Sequence, residues 1–514
     1  MRTKKAILNI IIALLYELFL IVMGIIIPKL IIRTYGSDVN GLTSTINNVL
    51  SILNLIQAGA VGASIFQMFK PVAERDYEAQ GKILGASILY FRKVGLIFLI
   101  LVAITAPILA LSMASGDISF SEKVVAFLLL GLNGSLSFFF ISHYDILFSS
   151  NQNRFILSFG GICDKIIYYS LLLAIIFFKL SYLLMYAATI LGTFFKILLL
   201  YIIYRKTYAN FIKFNYDKSF KIPNKGYLML NQIARQSIDG SPTIILSVIG
   251  GLGIASVYSV YSLVFNMIKT LSSTIQTSIS EVFGNVVVSD SKNRIKTIYD
   301  RMNYVFFAIS LFLCCCMAFL FKSFIYVYTD GNSLDINYLY DLPTILFAIY
   351  GVIFINYHPI YTLTNVLGFY KDTYFQSVIT AVVSIAISIG LSFINWSLVI
   401  VGLIFYFAVS YFYRTYIVFR KTKSDYLYLS KSIIRFIVSL FATVFSWSMS
   451  YVFLSTFIES WLMWLLVAVF TALCSLLFIF IYSIIFEKNN FLSIFLYMKS
   501  MIRRKKNENI SDRR

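Results

Sequence analysis

The stretch Tyr-Ile-Ile-Tyr-Arg-Lys-Thr at residues 201–207 returns 215 residues later as Tyr-Ile-Val-Phe-Arg-Lys-Thr at residues 416–422, with five identities and two conservative changes. The only two histidines, His143 and His358, are separated by the same 215 positions. A basic heptapeptide and both copies of a rare residue at one spacing indicate that a long unit occurs twice in the same direction.

Two landmarks nearer the N-terminus extend this duplication. Pro28 aligns with Pro242 and Gly36 aligns with Gly250, in both cases at a spacing of 214. Each copy lies in a strongly apolar region, and internally duplicated apolar chains are typical of transporters that rock one half against the other around a midplane site. The duplication therefore favours a transport mechanism over a purely structural role.

The composition is that of a membrane protein. Hydrophobic residues make up 59% of the 514 positions, charged residues make up 13%, and the mean hydropathy is +0.82. No water-soluble domain of this length could carry so much apolar surface. The formal charge is +20, but the basic residues lie in short connections between apolar runs, which indicates membrane orientation rather than nucleic-acid binding. The five cysteines lie inside apolar runs without metal-binding spacing.

The apolar runs have the length of transmembrane helices. A hydrocarbon layer of about 30 Å needs about 20 apolar residues in helical form, and irregular backbone cannot face lipid. We therefore predict an all-α integral membrane protein with about fourteen transmembrane helices. The expected spans are residues 7–33, 39–66, 90–113, 122–149, 155–178, 181–204, 228–249, 253–283, 301–325, 341–366, 373–395, 397–419, 432–456 and 461–486.

Alternate connections between the spans hold most of the basic residues. One set of connections contains 32 of the 43 Lys and Arg residues, and this asymmetry predicts that both termini are cytoplasmic. The tail from Lys488 ends in Arg503-Arg504-Lys505-Lys506 and is expected on the anionic inner leaflet, and residues 83–93 show a similar pattern. The basic set comprises the N-terminus, 70–82, 150–155, 205–227, 284–302, 366–372, 414–435 and the tail from 487.

The repeat defines the domain organisation. It pairs span 1 with span 7, span 4 with span 10 and span 6 with span 12. Because the copies are separated by an even number of spans, they share one topology, and we predict two six-helix lobes as a parallel repeat followed by two C-terminal helices. The expected divisions are an N-lobe at 1–206, a cytoplasmic linker at 207–227, a C-lobe at 228–421, spans 13 and 14 at 422–486, and a basic cytoplasmic tail at 487–514.

Many ionisable side chains fall inside the expected spans, where each costs about 2.5–3.5 kcal/mol even on the lenient insertion scale. Each of them suggests a partner or a wet cavity. Lys196 can reach the cytoplasmic headgroups, whereas Lys165 and Lys269 lie closer to mid-span and cannot easily do so. The set comprises Glu17, Asp145, Asp164, Lys165, Lys196, Arg235, Asp239 and Lys269.

Several of these residues have both a structural and a functional interpretation. Arg235 and Asp239 stand at i and i+4 on span 7, where they can form a structural salt bridge. Glu17 lies well inside span 1 and is either a hydrogen-bonded acid between helices or a coupling site for protons or sodium, with Asp239 as a second candidate. His143 and His358 occupy the inner halves of spans 4 and 10, as polar cavity residues or as repeated helix contacts.

Loose motifs in both halves resemble a known family. The second half carries Ile238-Asp239, Gly250 and Val257-Tyr258-Ser259. Together with the first-half motifs, this pattern resembles Wzx-type polysaccharide flippases from low-GC bacteria, within the multidrug/oligosaccharidyl-lipid/polysaccharide exporter superfamily. The similarity covers nearly the whole chain and departs at Gln57, where many relatives carry glutamate. The first-half motifs, between Pro28 and Pro71, are Arg33, Gly36, Asn40-Gly41-Leu42, Gln57-Ala58-Gly59, Gly62-Ala63 and Lys70-Pro71.

The resemblance implies two six-helix lobes arranged as a V that opens alternately to each side of the bacterial cytoplasmic membrane. It implies that the cargo is an undecaprenyl-pyrophosphate-linked oligosaccharide, flipped to the outer leaflet for surface polysaccharide biosynthesis. Cations would replace the water around the pyrophosphate, a role for Arg33, Lys165, Arg235 and Lys269. The expected partners are this glycan, membrane lipids and other polysaccharide-assembly proteins, without nucleic acid. No cofactor is expected beyond a proton or sodium gradient.

Two alternatives remain open. A multidrug or cation antiporter of the same superfamily would share the repeat, but would have twelve spans and a pocket dominated by carboxylates. A membrane polysaccharide polymerase would act on the same substrates, but such enzymes usually carry paired carboxylates in a sizeable outer loop, and the outer connections here are short. We therefore expect a flippase rather than an enzyme.

Overall fold

The computed structural model describes residues 2–57, 59–114, 117–216, 226–289, 292–331, 334–422, 426–454, 458 and 460–493. Within these ranges the backbone is helical apart from turns and short connections, and no β-strand is present. This confirms the all-α membrane class expected from the hydropathy pattern. The basic end of the tail and the middle of the linker, residues 217–225, lie outside the described residues, so the expectations for them stay predictions.

Sixteen α-helices follow one another in the described part of the chain. They are α1 (Arg2–Tyr35), α2 (Ser37–Leu53), α3 (Ala60–Glu74), α4 (Tyr77–Ser112), α5 (Phe120–Leu136), α6 (Ser142–Ser150), α7 (Phe155–Phe177), α8 (Leu183–Thr207), α9 (Gly226–Ile249), α10 (Gly251–Ser289), α11 (Lys292–Tyr328), α12 (Asp341–Val366), α13 (Tyr370–Ser392), α14 (Val399–Thr422), α15 (Tyr426–Leu454) and α16 (Trp461–Phe486).

Each expected span corresponds to a helix, and thirteen of the fourteen qualify as candidate membrane spans in the described residues. Twelve candidate spans are long and apolar enough to cross a membrane, and the bent pair of α2 and α3 adds a thirteenth. The remaining expected span coincides with α9, whose apolar run is interrupted by Arg235 and Asp239. The expected limits 341–366 and 461–486 coincide with α12 and α16.

Two spans depart from a straight α-helix. The second span bends by 40° between α2 and α3, where a 3-10 turn at Asn54–Gln57 and the left-handed Gly59 (φ 80°) interrupt it. The fourth span contains a π turn at Ser137–Ile141 between α5 and α6. Single π turns within helices frequently accompany functional positions, and this one immediately precedes His143.

Residues 83–93, whose sequence pattern is similar to that of the tail, belong to the continuous helix α4. Most side chains in the first three turns of α4 are buried. The Asn215 N–H donates to the Gly81 carbonyl at 3.0 Å, and a Cβ atom at Gly81 or Gly85 would collide with the segment that follows α8. The sequence pattern is misleading because this helix is covered by protein rather than by lipid headgroups.

The described residues divide into two compact units. A separate apolar core lies inside each unit. Because α9 and the beginning of α10 belong to unit 1, contacts between the two copies of the repeat occur within that unit. Unit 1 comprises Met1–Val260, Leu334–Asn337 and Ile389–Trp396, and unit 2 comprises Tyr261–Ser333, Tyr338–Ser388 and Ser397–Arg514.

The backbone repeats along with the sequence. A single residue separates α1 from α2 and α9 from α10, and the two residues are the aligned Gly36 and Gly250. Each turn uses one left-handed glycine, Gly36 (φ 87°) in the first copy and Gly251 (φ 85°) in the second. Any other residue would be strained at such a φ angle. The aligned glycines therefore end the first helix of each copy at the same place in the repeat.

Candidate functional site

A charged cluster lies between α7 and α8 in unit 1. Asp164 of α7 is only 6% exposed, and the Lys165 ammonium lies 3.7 Å from its Oδ2 atom. The Oδ1 atom is buried and has no hydrogen-bond partner among the described residues. Lys196 of α8 lies within electrostatic range of both residues. One carboxylate thus pairs with the Lys165 ammonium and feels the charge of a second one, Lys196.

Two glycines allow the helices around this cluster to approach closely. A Cβ atom at Gly161 would lie 2.9 Å from the ring of Tyr16 on α1, and a Cβ atom at Gly192 on α8 would lie 2.5 Å from Asp164 Oδ1. Both distances are shorter than real Cβ atoms show. Small residues at membrane-helix interfaces permit such backbone approach, so the cluster depends on these two positions.

Of three further candidates, Lys165 is partly buried, whereas Glu17 and Arg33 of the first span are exposed. Lys165 is 30% exposed, and its ammonium lies 5.6 Å from the ring centroid of Tyr168. By contrast, Glu17 and Arg33, both on α1, are exposed. The structure therefore brings Lys165 together with Asp164 and leaves Glu17 and Arg33 on exposed parts of one helix.

Arg235 and Asp239 are half-buried on α9. The neighbouring face of this helix packs on α2, where the Gln236 amide donates to the Ser51 hydroxyl at 3.1 Å. This contact joins the first copy of the repeat to the second inside unit 1. Arg235 and Asp239 thus lie next to the surface by which α9 contacts α2.

The same helix α2 contacts the beginning of α10. The Asn40 amide donates to the hydroxyls of Ser256 at 2.8 Å and Ser259 at 3.0 Å, and Asp335 accepts hydrogen bonds from Ser37. Neutral hydrogen bonds contribute about 0.5–1.5 kcal/mol each. These bonds join α2 to the beginning of α10 and to the connection that contains Asp335.

In unit 2, Lys269 of α10 faces α12. Its ammonium lies 5.9 Å from the ring centroid of Phe354, and Gln276, two turns later, donates to the Thr362 hydroxyl at 2.9 Å. His358 of α12 is fully buried, and its ring packs edge-on against Phe354 at 4.9 Å. Lys269 and His358 therefore share one aromatic neighbour.

His143, the aligned histidine of the first copy, is also buried. Its ring meets Phe214 at 5.6 Å, and Phe214 stacks on Tyr204 at 4.9 Å. Both histidines thus pack against aromatic rings, which fits their aligned positions. Their role as polar cavity residues stays a prediction.

Arg414 was counted among the basic residues of the cytoplasmic connection 414–435. In the structure it belongs to helix α14. Its side chain is 2% exposed, and its Nη1 atom donates to the Thr364 hydroxyl at 2.9 Å. The guanidinium lies 5.7 Å from the ring centroid of Tyr357 and 5.1 Å from that of Tyr361. The basic pair Arg420 and Lys421 ends this helix nearly two turns after Arg414. This spacing was the signal in the sequence that Arg414 lies inside the span.

Three helices of unit 2, α11, α15 and α16, line an open, largely apolar cavity of about 920 Å³, which we term the apolar groove. Its lining includes Leu311, Cys315 and Phe319 from α11, Phe441 from α15 and Phe470 from α16. The volume falls in the range of ligand-binding sites. The sequence did not reveal this groove, because each of its helices resembles an ordinary span.

The first copy of the repeat leaves the equivalent helix face open. At a spacing of 215, Leu311 and Cys315 of α11 align with Leu96 and Ile100 of α4, which are 56% and 58% exposed. The groove therefore exists because α15 and α16 cover, in the second copy, a surface that is exposed in the first.

These features indicate what each unit can bind. Half-buried ammonium and guanidinium groups can pair with an anion, and the apolar groove can hold a hydrocarbon chain. In the described part of the chain, no group of three or more His, Cys, Asp or Glu side chains is arranged to hold a metal ion.

No family model and no curated protein sequence matches the chain, but solved structures do. The fold is similar to an inward-facing multidrug resistance MATE family transporter of the MOP superfamily, with a TM-score of 0.64 and 12% identity over 82% of this chain and 99% of that one. It is similar to the lipid II flippase MurJ in an inward closed conformation, with a TM-score of 0.63 and 14% identity over 90% of this chain and 98% of that one. A mutant of the Vibrio cholerae MATE transporter VcmN matches with a TM-score of 0.53 and 11% identity, covering 83% and 99%. These similarities establish a shared fold.

Proposed function

We propose that the protein flips an undecaprenyl-pyrophosphate-linked oligosaccharide from the cytoplasmic to the outer leaflet of the bacterial cytoplasmic membrane by alternating access. The fold shared with membrane transporters supports transport in general. The observation that carries the lipid-linked part of the proposal is the apolar groove, which two helices outside the repeat complete.

The apolar groove suits a long polyprenyl chain. Lipid tails are as apolar as leucine, so the groove gains no hydrophobic driving force over the bilayer and must select its ligand by packing and shape. A cavity of about 920 Å³ offers a long, branched chain many such contacts. A compact drug molecule would use only a part of them.

The candidate cations suit the pyrophosphate. Moving this group through the membrane requires partners that replace its water, and charge-assisted hydrogen bonds are the strongest available. Lys165, Arg235 and Lys269 are all partly buried, so they can make such bonds in a medium of lowered dielectric constant. Arg33, exposed at the end of α1, would meet the head group near the outer surface.

We assign coupling to an acidic group that changes its partner during transport. Glu17 and Asp239 are candidates, and the structure adds Asp164, which has one buried oxygen without a hydrogen bond. When the pyrophosphate binds Lys165, the Asp164 carboxylate loses its ion-pair partner at 3.7 Å and can pair with a coupling cation instead. Cargo and coupling ion would then bind together.

A multidrug or cation antiporter is the second candidate function. The similarity to the inward-facing MATE transporter, as strong as that to MurJ, favours it. The half-buried cations favour an anionic cargo instead, because a cationic drug would be repelled by them. A polymerase activity has weaker support, since the fold is shared with transporters.

Reconstituted protein can distinguish these functions. The purified chain is placed in vesicles whose inner leaflet carries a fluorescent undecaprenyl-pyrophosphate oligosaccharide, and the arrival of glycan at the outer leaflet is measured with an impermeant glycosidase. We expect protein-dependent flipping. Vesicles that instead move a lipophilic cation against a proton gradient, without flipping the glycan, would support the antiporter.

Variants test the assigned cations. Lys165→Ala and Arg235→Ala should each lower the flipping rate by about 10- to 100-fold, because a charge-assisted hydrogen bond contributes about 1.5–3 kcal/mol. Lys93→Ala, which removes an exposed lysine of α4, is the matched control and should flip at the normal rate. Normal flipping by both test variants would reject the assignment.

Deletion of the gene should cause lipid-linked precursor to accumulate.

A further inference from the structure

A buried ionic network joins α15 and α16 to α11 beyond one end of the apolar groove. Arg435 of α15 is 1% exposed. Its Nε and Nη2 atoms donate to the two carboxylate oxygens of Glu487, directly after α16, at 2.8 and 2.9 Å. Its Nη1 atom lies 2.8 Å from Asp300 Oδ1 on α11. The Asn490 amide donates to both carboxylates, at 2.8 and 2.9 Å. We term these four residues the Arg435 network.

Further hydrogen bonds join the same three helices beside this network. The hydroxyls of Tyr304 on α11 and Ser483 on α16 are hydrogen-bonded at 2.5 Å, and the Asn303 amide donates to Ser432 on α15 at 2.6 Å. The guanidinium of Arg435 stands 5.9 Å from the ring centroid of Tyr304. The three helices are therefore held together by directional bonds at one end and by apolar side chains along the groove.

The apolar part of the interface cannot set the helix positions alone. Apolar packing between membrane helices has no hydrophobic driving force, and only Thr471 and Ser483 of α16 are buried. The Arg435 network supplies directional bonds that can fix the register. It also has no equivalent in the first copy, since Asp300 aligns at a spacing of 215 with Gly85, which has no side chain.

We propose that Arg435 is a positioning residue for lipid binding: it holds α15 and α16 at the separation from α11 at which the apolar groove accepts a long polyprenyl chain. This inference rests on the proposed function. Removing the guanidinium leaves Asp300 and Glu487 as two partly buried carboxylates that repel each other. The ends of α11 and α16 then move apart, and the width of the groove changes.

The groove width can be measured without any cargo. Cys315 of α11 and Cys474 of α16 both line the groove, so they can be joined by bis-maleimide reagents of graded length. We expect the most efficient cross-linker to be longer for Arg435→Gln than for the wild type. Arg435→Lys keeps the charge but not the bidentate geometry of the guanidinium, so its optimal cross-linker should have an intermediate length. For this measurement three cysteines are replaced by alanine: Cys163, Cys314 and Cys316.

Ligand binding tests the consequence of this change. Wild-type protein in nanodiscs should be photolabelled in the groove by a diazirine derivative of undecaprenyl phosphate. For Arg435→Gln the half-saturating concentration should rise about tenfold, equivalent to about 1.4 kcal/mol. Farnesyl phosphate, which is too short to fill the groove, should label both proteins equally. A merely structural defect would weaken the labelling by both lipids alike.

Milder variants and a control complete the test. Glu487→Gln and Asp300→Asn each remove one carboxylate and should shift both readouts in the same direction as Arg435→Gln, even if that variant fails to reach the membrane. Lys431→Gln, one turn earlier on α15 and exposed, should behave as the wild type. Unchanged cross-linking and labelling in all network variants would overturn the proposal. A wild type that is not labelled would instead count against the proposed function.

Discussion

Asp335 caps helix α2 from a distant connection of the chain: its carboxylate accepts hydrogen bonds from the Ser37 backbone N–H at 2.6 Å and from the Ser37 hydroxyl at 2.5 Å. The residue before Ser37 is Gly36, which offers no side chain for this purpose. The first turn of α2, which belongs to the first copy of the repeat, is therefore completed by a residue of the second copy.

Replacing Asp335 with alanine should loosen this end of α2. A helix cap contributes about 0.5–2 kcal/mol, so amide exchange in residues 37–46 should become about two- to thirtyfold faster. Hydrogen–deuterium exchange with mass spectrometry measures this directly. Asp330→Asn is the matched control in the same connection, because asparagine tolerates its left-handed backbone (φ 52°). Equal exchange in both variants would contradict the capping role.

Lys165 and Asp164 should show coupled effects on stability. Lys165→Met removes the cation 3.7 Å from the Asp164 carboxylate. We expect the free energy of unfolding to fall by about 1–3 kcal/mol, since a buried charge loses its partner. The double variant with Asp164→Asn should recover most of this loss. Thermal unfolding of the wild type, the single variants and the double variant in detergent measures this coupling. A double variant as unstable as Lys165→Met alone would show that the pair is not coupled.

Gly192 should not tolerate a methyl group. Alanine there would place Cβ 2.5 Å from Asp164 Oδ1, and overpacking of this kind costs about 1–3 kcal/mol. Gly24→Ala on α1 meets no atom within 4 Å and should leave the unfolding temperature unchanged or raise it, because alanine favours helix. If the two variants unfold at the same temperature, the close contact of α7 and α8 is not needed.

Arg414 should require its planar guanidinium. Lysine cannot stack between Tyr357 and Tyr361 while donating to Thr364, so Arg414→Lys should lower the free energy of unfolding by about 1–3 kcal/mol. The control is Arg420→Lys on the same helix, where the side chain is exposed, and it should be neutral within about 0.5 kcal/mol. Equal stability of both variants would show that the positive charge of Arg414 is sufficient and its planar shape is not needed.

The fold was predictable because hydropathy reports directly on helices that cross lipid. The ends of α12 and α16 follow the apolar runs closely. The beginning of α4 does not, since this helix starts at Tyr77 and most of its side chains from Gln80 to Ile88 are buried against protein. Hydropathy cannot distinguish lipid from protein as the neighbour of an apolar side chain, and it therefore misplaces such extensions.

The site was predictable only where a charge lies in mid-span. Lys165 and Lys269 were identifiable because a buried cation is costly wherever it lies in a membrane. Arg435, Asp300 and Glu487 were not, since each lies close to the end of an expected span and looks in the sequence like an ordinary loop charge. Their burial arises from three helices that meet in space. Such contacts between distant parts of the chain cannot be read from local composition.

The added helices also break the symmetry of the duplicated molecule. Two identical bundles would present the same helix face to their surroundings. In the described residues α15 and α16 cover this face in the second copy, whereas Leu96 and Ile100 leave it exposed in the first. A duplicated sequence has thus become two chemically different halves, and only one of them carries an apolar groove.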